Sequence, residues 1–403
     1  MKILFQDSTF SLQLLRVIGG TYYKGADIGE CISTAYRIKE GDFESWYKEW
    51  LATAQRVHSY ADDSLARGHK VSAREAYLRA SNYYRVAEFL LMNPEDRRIQ
   101  TTWGNSKKCF RIAAELFSPQ FEVEAIEIPY EQTTLPGYFY SNNNKSSKQN
   151  RPILIAHGGF DSTVEELYTS AAAPALERGY NCLTFEGPGQ GGVIRKQKIP
   201  FRSDWEKVVT PVIDFVSENY ADHCDLTSLA LMGISMGGYL AARSAAFEHR
   251  IAACILYNGV YDGYESIASG FPKSLLTAIE NGDSKAVNMI LGILMESDSN
   301  IRFNLQHGMW TTGLNTPYEL IQGSKDYTIK DVVQNIKCPT LVLDAENDDS
   351  FPGQPKRVYN ALTCSKNYIR FTKQEGAEEH CQSGAPAICN QRIFDWLDEI
   401  LKV

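Results

Sequence analysis

From Phe121 onward, apolar residues come in two kinds of spacing. Short runs at 153–156, 181–185, 229–233, 253–257, 339–343 and 368–371 are apolar almost throughout. Between and after them, segments 165–178, 204–220, 239–247 and 388–401 carry apolar residues at three- and four-residue steps. Continuous runs mark strands covered on both faces, and the intervening amphipathic segments mark helices. Together they predict an α/β chain, a mostly parallel sheet wrapped by helices. Ahead of these runs, 121–128 alternates apolar with charged residues, and 135–140 reads as its hairpin partner. The polar stretch 141–150 predicts a surface turn.

The first part of the chain has a different rhythm. Trp46, Trp50, Ala54, Val57 and Ala61 line one face of a helix over 44–67. Ser72 followed by Glu75 reads as a capping-box start for a second helix, which Asn93-Pro94 ends. A third helix is predicted over 105–117, stopped by Ser118-Pro119. A further helical excursion, 261–334, separates the fourth and fifth buried runs and is too long for a simple connection. The predicted organisation is a helical domain at 1–118, an α/β core at 119–260 and 335–403, and a helical lid at 261–334.

Composition narrows the function without naming it. The 403 residues are 43% hydrophobic and 22% charged, ordinary for a globular chain. A net charge of −8 argues against nucleic acid or an anionic membrane as partner. No apolar run reaches the length of a membrane span, and the N-terminal apolar run is too short for a signal peptide. Nine cysteines, an odd number without a Cys-x-x-Cys pair, indicate neither a disulfide framework nor a metal site. The expectation is a cytoplasmic protein without metal or cofactor.

The chemistry concentrates at the ends of the buried runs. Gly233-Ile234-Ser235-Met236-Gly237 lies between a strand and a helix, the context in which Gly-x-Ser-x-Gly exposes a nucleophile. Asp348 follows the run 339–343 and is the expected acid, with Asp349 as rival and Asp344 a weaker one. His380 follows the last run and is the expected base, with Glu378 and Glu379 as neighbours able to raise its pKa. His157-Gly158-Gly159-Phe160 follows the first run. A backbone N–H there, Phe160 first and Gly159 second, would complete an oxyanion hole with that of Met236. The glycine-rich 186–192 lacks Gly-Lys-Ser/Thr and reads as a structural turn rather than a phosphate loop. Tyr84 and Arg85 on a crowded helix, and Trp310 in the excursion, are the candidate substrate contacts.

Four segments taken together resemble a known family: His157-Gly-Gly-Phe-Asp-Ser, Phe185-Glu-Gly-Pro-Gly-Gln-Gly, Gly233-Ile-Ser-Met-Gly-Gly and Asp344-Ala-Glu-Asn-Asp. With Gly25-Ala-Asp-Ile-Gly-Glu and Ser72-Ala-Arg-Glu-Ala-Tyr they are similar to α/β-hydrolases bearing an N-terminal helical domain. That group includes bacterial 2,6-dihydroxypseudooxynicotine hydrolase and the fungal polyketide-shortening hydrolases of pigment synthesis. The resemblance implies a Ser235–Asp348–His380 triad and a small-molecule substrate enclosed between helices and core. It further implies cleavage of an ester or of a carbon–carbon bond beside a ketone. Acyl transfer or cyclisation by the same triad, and a non-catalytic binding protein, are the competing readings. A homodimer is one expected assembly.

Overall fold

The computed structural model describes residues 1–142 and 150–402, so most of the predicted polar turn at 141–150 lies outside the described residues. Five helices come first: α1 (Ser8–Gly19), α2 (Ile28–Ala35), α3 (Phe43–Ala66), α4 (Lys70–Glu88) and α5 (Arg97–Glu115). The hairpin β1 (Phe121–Tyr130) and β2 (Thr133–Asn142) follows, then β3 (Arg151–His157), α6 (Ala173–Glu177), β4 (Asn181–Phe185), α7 (Glu206–Asn219), β5 (Cys224–Ile234), α8 (Gly237–Ala245) and β6 (Ala253–Tyr257). The excursion carries α9 (Gly263–Ala268), α10 (Lys273–Glu280), α11 (Ser284–Ser297), α12 (Ser299–Thr312) and α13 (Pro317–Gly323). β7 (Thr340–Ala345), α14 (Gln354–Ala361), β8 (Lys366–Phe371) and α15 (Pro386–Leu401) close the chain.

The eight strands form one sheet in the order β1-β2-β4-β3-β5-β6-β7-β8. β1 and β2 pair antiparallel, as do β2 and β4, and every other pairing is parallel. Side-chain alternation splits the two faces. Leu154, Ala156, Met232 and Ile255 face one apolar cluster, and Ile153, Ile155, Leu231 and Leu256 face another with α7 and α8. The first cluster runs on through α6 and α15 into the N-terminal helices, with Phe110 of α5 against Tyr138 of β2 at 4.8 Å between ring centroids. The N-terminal helices therefore share a core with the sheet. The excursion has a small core of its own, built on Leu275, Ile279, Val287, Leu291 and Ile321.

Three sequence expectations shift locally. The capping box at Ser72 and Glu75 does not form, because α4 starts at Lys70. Gly68, at φ +78°, turns the chain out of α3 so tightly that the next helix begins before Ser72 is reached. α5 starts eight residues before the predicted 105, since the Asp96 side chain caps it by accepting from the Arg98 N–H. The predicted helix 165–178 splits into a wide turn at Tyr168–Ala172 and the short α6. Pro174 has no N–H to bond back to the preceding turn, so regular helix cannot run through it.

Trp46 and Trp50 of α3 are fully buried and pack against Phe10 of α1 and Tyr83 of α4. The Trp46 indole N–H donates to the Val86 carbonyl at 2.8 Å. Trp46→Ala is expected to cost about 3–5 kcal/mol, through the cavity it leaves and the lost indole bond to Val86. Chemical denaturation monitored by circular dichroism measures it, and a loss below about 1 kcal/mol would mean that the helices repack freely.

Candidate active site

β5 ends at Ile234 and α8 begins at Gly237, so two residues must reverse the chain. Ser235 does so at φ +63°, a strained conformation for a side-chain-bearing residue. A Cβ on Gly233 would fall 1.9 Å from the Gly237 carbonyl oxygen, so the turn closes only with glycine there. The Ser235 backbone N–H donates to the Tyr257 carbonyl at 2.8 Å, pinning the turn to β6. Its hydroxyl is thereby held off the carboxyl end of the sheet, where open α/β sheets place their active groups.

Two loops from the far side of the sheet, after β7 and β8, meet it. His380, in the loop between β8 and α15, has Nε2 2.8 Å from the Ser235 Oγ. Its Nδ1 lies 3.0 Å from both carboxylate oxygens of Asp348, which follows β7. Asp348 also accepts from the Ser350 N–H at 2.9 Å and from the Asn258 side-chain amide at 2.5 Å. The Asn347 N–H bonds the Glu378 carbonyl at 2.8 Å, locking the acid loop to the histidine loop. Asp349 is exposed, and Asp344 is taken up by the Tyr368 hydroxyl and its own neighbouring N–H, so neither rival carboxylate meets His380.

The electrostatics follow from this contact. Burial works to depress the His380 pKa, but the Asp348 carboxylate outweighs it and holds the imidazole well above its ordinary value. Burial likewise disfavours the Asp348 charge, while His380 and the backbone N–H groups of Ser350 and Phe351 keep its pKa below the usual carboxylate range. Glu378 and Glu379, expected from sequence to act on His380, instead face the N-terminal amine of Met1. Cys381 places its Sγ 3.3 Å from His380 Nε2, a neighbour that the sequence did not single out.

The loop after β3 lies directly on the turn. A Cβ on Gly159 would come within 2.6 Å of the Ile234 oxygen and 2.7 Å of the Met236 nitrogen. Neither the Phe160 nor the Met236 backbone N–H has an acceptor among the described residues. The glycine-rich 186–192 reaches the same loop: Gln190 Nε2 donates to the Gly158 carbonyl at 2.8 Å and to the Gly159 carbonyl at 3.0 Å. From α12, His307 Nε2 lies 3.0 Å from the Phe160 carbonyl oxygen. From α1, Arg16 pairs with Asp161 at 3.2 Å and with both oxygens of Glu166 at 2.6 Å. No sequence signal marks His307, Arg16 or Asn258, and Gln190 stands in a glycine-rich segment that carries the family resemblance but reads from sequence alone as a structural turn. Each acts through a contact more than thirty residues away.

The three proposed substrate contacts separate. Tyr84 is buried in the helical layer, with its hydroxyl on His58 Nδ1 at 3.1 Å, and is not brought to Ser235. Arg85 is buried beside Glu166 at 3.5 Å and lines a small cavity with Ser81 and Tyr168. Trp310 alone sits with the loop's neighbours, its ring edge-on to His307 at 5.7 Å and under the Arg195 guanidinium. Phe303, one turn before His307, stacks on Phe89 of the N-terminal layer at 4.7 Å. Among the described residues no group of three or more His, Cys, Asp or Glu is placed to hold a metal ion, and no helix is long and apolar enough to cross a membrane.

The chain is similar to known proteins along its whole length. A model of the alpha/beta hydrolase family matches residues 153–363. The 20-hydroxy-prefusarin hydrolase FUS2 of Gibberella moniliformis is 36% identical, over 100% of this chain and 99% of its own. The hydrolase LUC6 of a Fusarium species is 36% identical, over 99% and 98% of the two chains. Among solved structures, 2,6-dihydroxy-pseudo-oxynicotine hydrolase superposes with a TM-score of 0.74 at 23% identity, covering 95% of each chain, a likeness of fold.

Proposed function

The chain belongs to the α/β-hydrolase family, and we propose that within it the chain is a cofactor-independent serine hydrolase of small, polyketide-like or aromatic acyl compounds. The carrying observation is the unbroken contact from Ser235 Oγ through the His380 ring to Asp348. Ser235 attacks the substrate carbonyl and His380 takes its proton. The oxyanion gathers on the Phe160 and Met236 N–H groups, with Gly159 close enough to share that role. Collapse expels an alkoxide from an ester, or an enolate where the broken bond is carbon–carbon beside a ketone, and His380 returns the proton to it. Water, deprotonated by His380, then releases the acyl group. Residues 1–118 act as the helical domain and 261–334 as the lid, both closing over Ser235. The contacts of Phe89 with Phe303 and of Arg16 with Asp161 support that role. The name of the full-length relative FUS2, a 20-hydroxy-prefusarin hydrolase, supports a secondary-metabolite substrate.

The test is mass spectrometry after a fluorophosphonate probe: the adduct is expected on Ser235, and an adduct on any other serine overturns the reading. Product analysis of an aryl ketoester and a β-diketone then separates ester from carbon–carbon cleavage, and an added alcohol acceptor reveals acyl transfer.

A pH profile gives a second check. Attack needs neutral His380, and a raised folded pKa keeps the imidazolium to higher pH. Activity is therefore lost as pH falls, and the acid limb of kcat/KM should lie above the roughly 6.5 of a free imidazole. An acid limb at or below 6.5 would contradict the Asp348–His380 pairing.

Removing the N-terminal helices tests the closure. A chain beginning at Phe121 strips Phe110 from Tyr138 and uncovers one cluster of the core. It is expected to be largely insoluble. A soluble fragment with full activity and unchanged preference between a small acetate and a bulky aryl ester would show that the helices take no part in the site.

A further inference from the structure

Three consecutive carbonyls of the loop after β3 are held by side chains from elsewhere in the fold. Gln190 Nε2 donates to the Gly158 and Gly159 oxygens, at 2.8 and 3.0 Å. His307 Nε2 sits 3.0 Å from the Phe160 oxygen. Both side chains are buried, at 2% and 6% exposure. Gln190 is itself fixed, because its Oε1 accepts the Gly187 N–H at 2.9 Å. His307 is wedged between Phe303, stacked at 5.3 Å, and Phe160, edge-on at 4.8 Å.

The covalent geometry of the peptide turns these contacts into an orientation. In a trans peptide the C=O of one residue and the N–H of the next lie in one plane and point opposite ways. The 158–159 and 159–160 bonds are trans. Holding the Gly159 oxygen therefore sets the direction of the Phe160 N–H, and holding the Gly158 oxygen sets that of the Gly159 N–H. These are the two donors that this loop can offer beside the Met236 N–H. Glycine at 158 and 159 gives the backbone little steric preference of its own, so these contacts set the planes; the Gly158 oxygen is shared with the adjacent His157 Nδ1 at 2.9 Å, while the Gly159 oxygen has Gln190 as its side-chain partner. His307 holds the third plane, and it does so from α12. Burial pushes the His307 pKa down to about 4, so near neutral pH the ring is uncharged and its Nε2 proton is the donor to the carbonyl.

We propose that Gln190 and His307 are positioning residues of the oxyanion loop: Gln190 aims the Gly159 and Phe160 N–H groups, and His307, by holding the plane that follows Phe160, anchors that residue to the α12 helix. The inference rests on the reading of Ser235 as nucleophile with Phe160 as an oxyanion donor. Neither side chain touches the reacting atoms in this scheme. Their effect falls on charge that develops after substrate has bound. It therefore appears in kcat rather than KM.

The experiment compares Gln190→Met, His307→Phe and His307→Gln with the wild type on an activated ester, using full-length chains whose folding is checked by thermal melting. Gln190→Met keeps size and loses the donor. Its kcat is expected to fall about 10²-fold, within the range for removing one oxyanion donor. His307→Phe is expected to lose about tenfold or more, while His307→Gln, whose amide can still reach the carbonyl, recovers most of it. KM should stay within about twofold and the acid limb of the pH profile should not move, since the Ser235–His380–Asp348 contacts are untouched. Inhibition by a boronic acid, which forms a tetrahedral anion on the nucleophile, should weaken in step with kcat. Unchanged kcat in Gln190→Met and His307→Phe overturns the proposal, as does His307→Gln no better than His307→Phe, or a loss carried in KM. Should Gln190→Met fail to fold, the His307 pair decides alone. Wild-type enzyme that takes no fluorophosphonate on Ser235 instead defeats the nucleophile assignment, a result separate from any of these.

Discussion

Ser235→Ala is expected to lower kcat by about 10⁶-fold, the scale seen when the nucleophile of a serine triad is removed. The change deletes one oxygen at a half-buried position. The backbone of the turn is held by the Ser235 N–H on the Tyr257 carbonyl and by the close approach of Gly233 to Gly237, none of which alanine disturbs. The left-handed φ of +63° is no harder for alanine than for serine in kind. The melting temperature should therefore stay near that of the wild type. Single-turnover hydrolysis of an activated ester measures the loss. A variant retaining more than a few per cent of kcat would show that another group carries the attack.

Asp348→Asn should cost about 10⁴-fold, because an amide cannot hold His380 in the tautomer that leaves Nε2 free to take the serine proton. The same substitution removes the charge that raises the His380 pKa, so the residual activity should have its acid limb at lower pH than the wild type. Asp349→Asn is the internal control. That side chain is exposed and lies outside the contact to His380, and its replacement should change kcat by less than about twofold. A larger loss from Asp349→Asn than from Asp348→Asn would reverse the assignment of the acid.

The elements of the core were legible because burial on both faces forces near-continuous apolar runs. The runs at 181–185 and 253–257 coincide with β4 and β6. Errors fell where local chemistry outweighed periodicity: at the Gly68 turn, at the Asp96 cap and at Pro174. Ser235, Asp348 and His380 were expected together because each lies in a loop that follows a strand, and parallel strands deliver their carboxyl ends to one edge; the structure brings the three within hydrogen-bond distance. Choosing Asp348 over Asp349 needed the resemblance to known hydrolases.

What the sequence determined by itself, then, was a mostly parallel sheet preceded by helices and interrupted by an excursion, with a serine turn that only glycine at 233 allows. These depend on spacing within a few residues, which the chain carries openly. The tertiary structure decided which partners stand behind the loop after β3. Gln190 lies in a turn read as structural, His307 in an excursion read as a cover, and Arg16 in the first helix. Their side chains reach 31, 147 and 145 residues along the chain to Gly159, Phe160 and Asp161. No periodicity records such contacts, because a hydrogen bond across the fold depends on where whole helices and strands pack and leaves no pattern in neighbouring residues. For the same reason Tyr84 looked like a candidate contact in a crowded helix. Packing turned its hydroxyl onto His58 inside the helical layer.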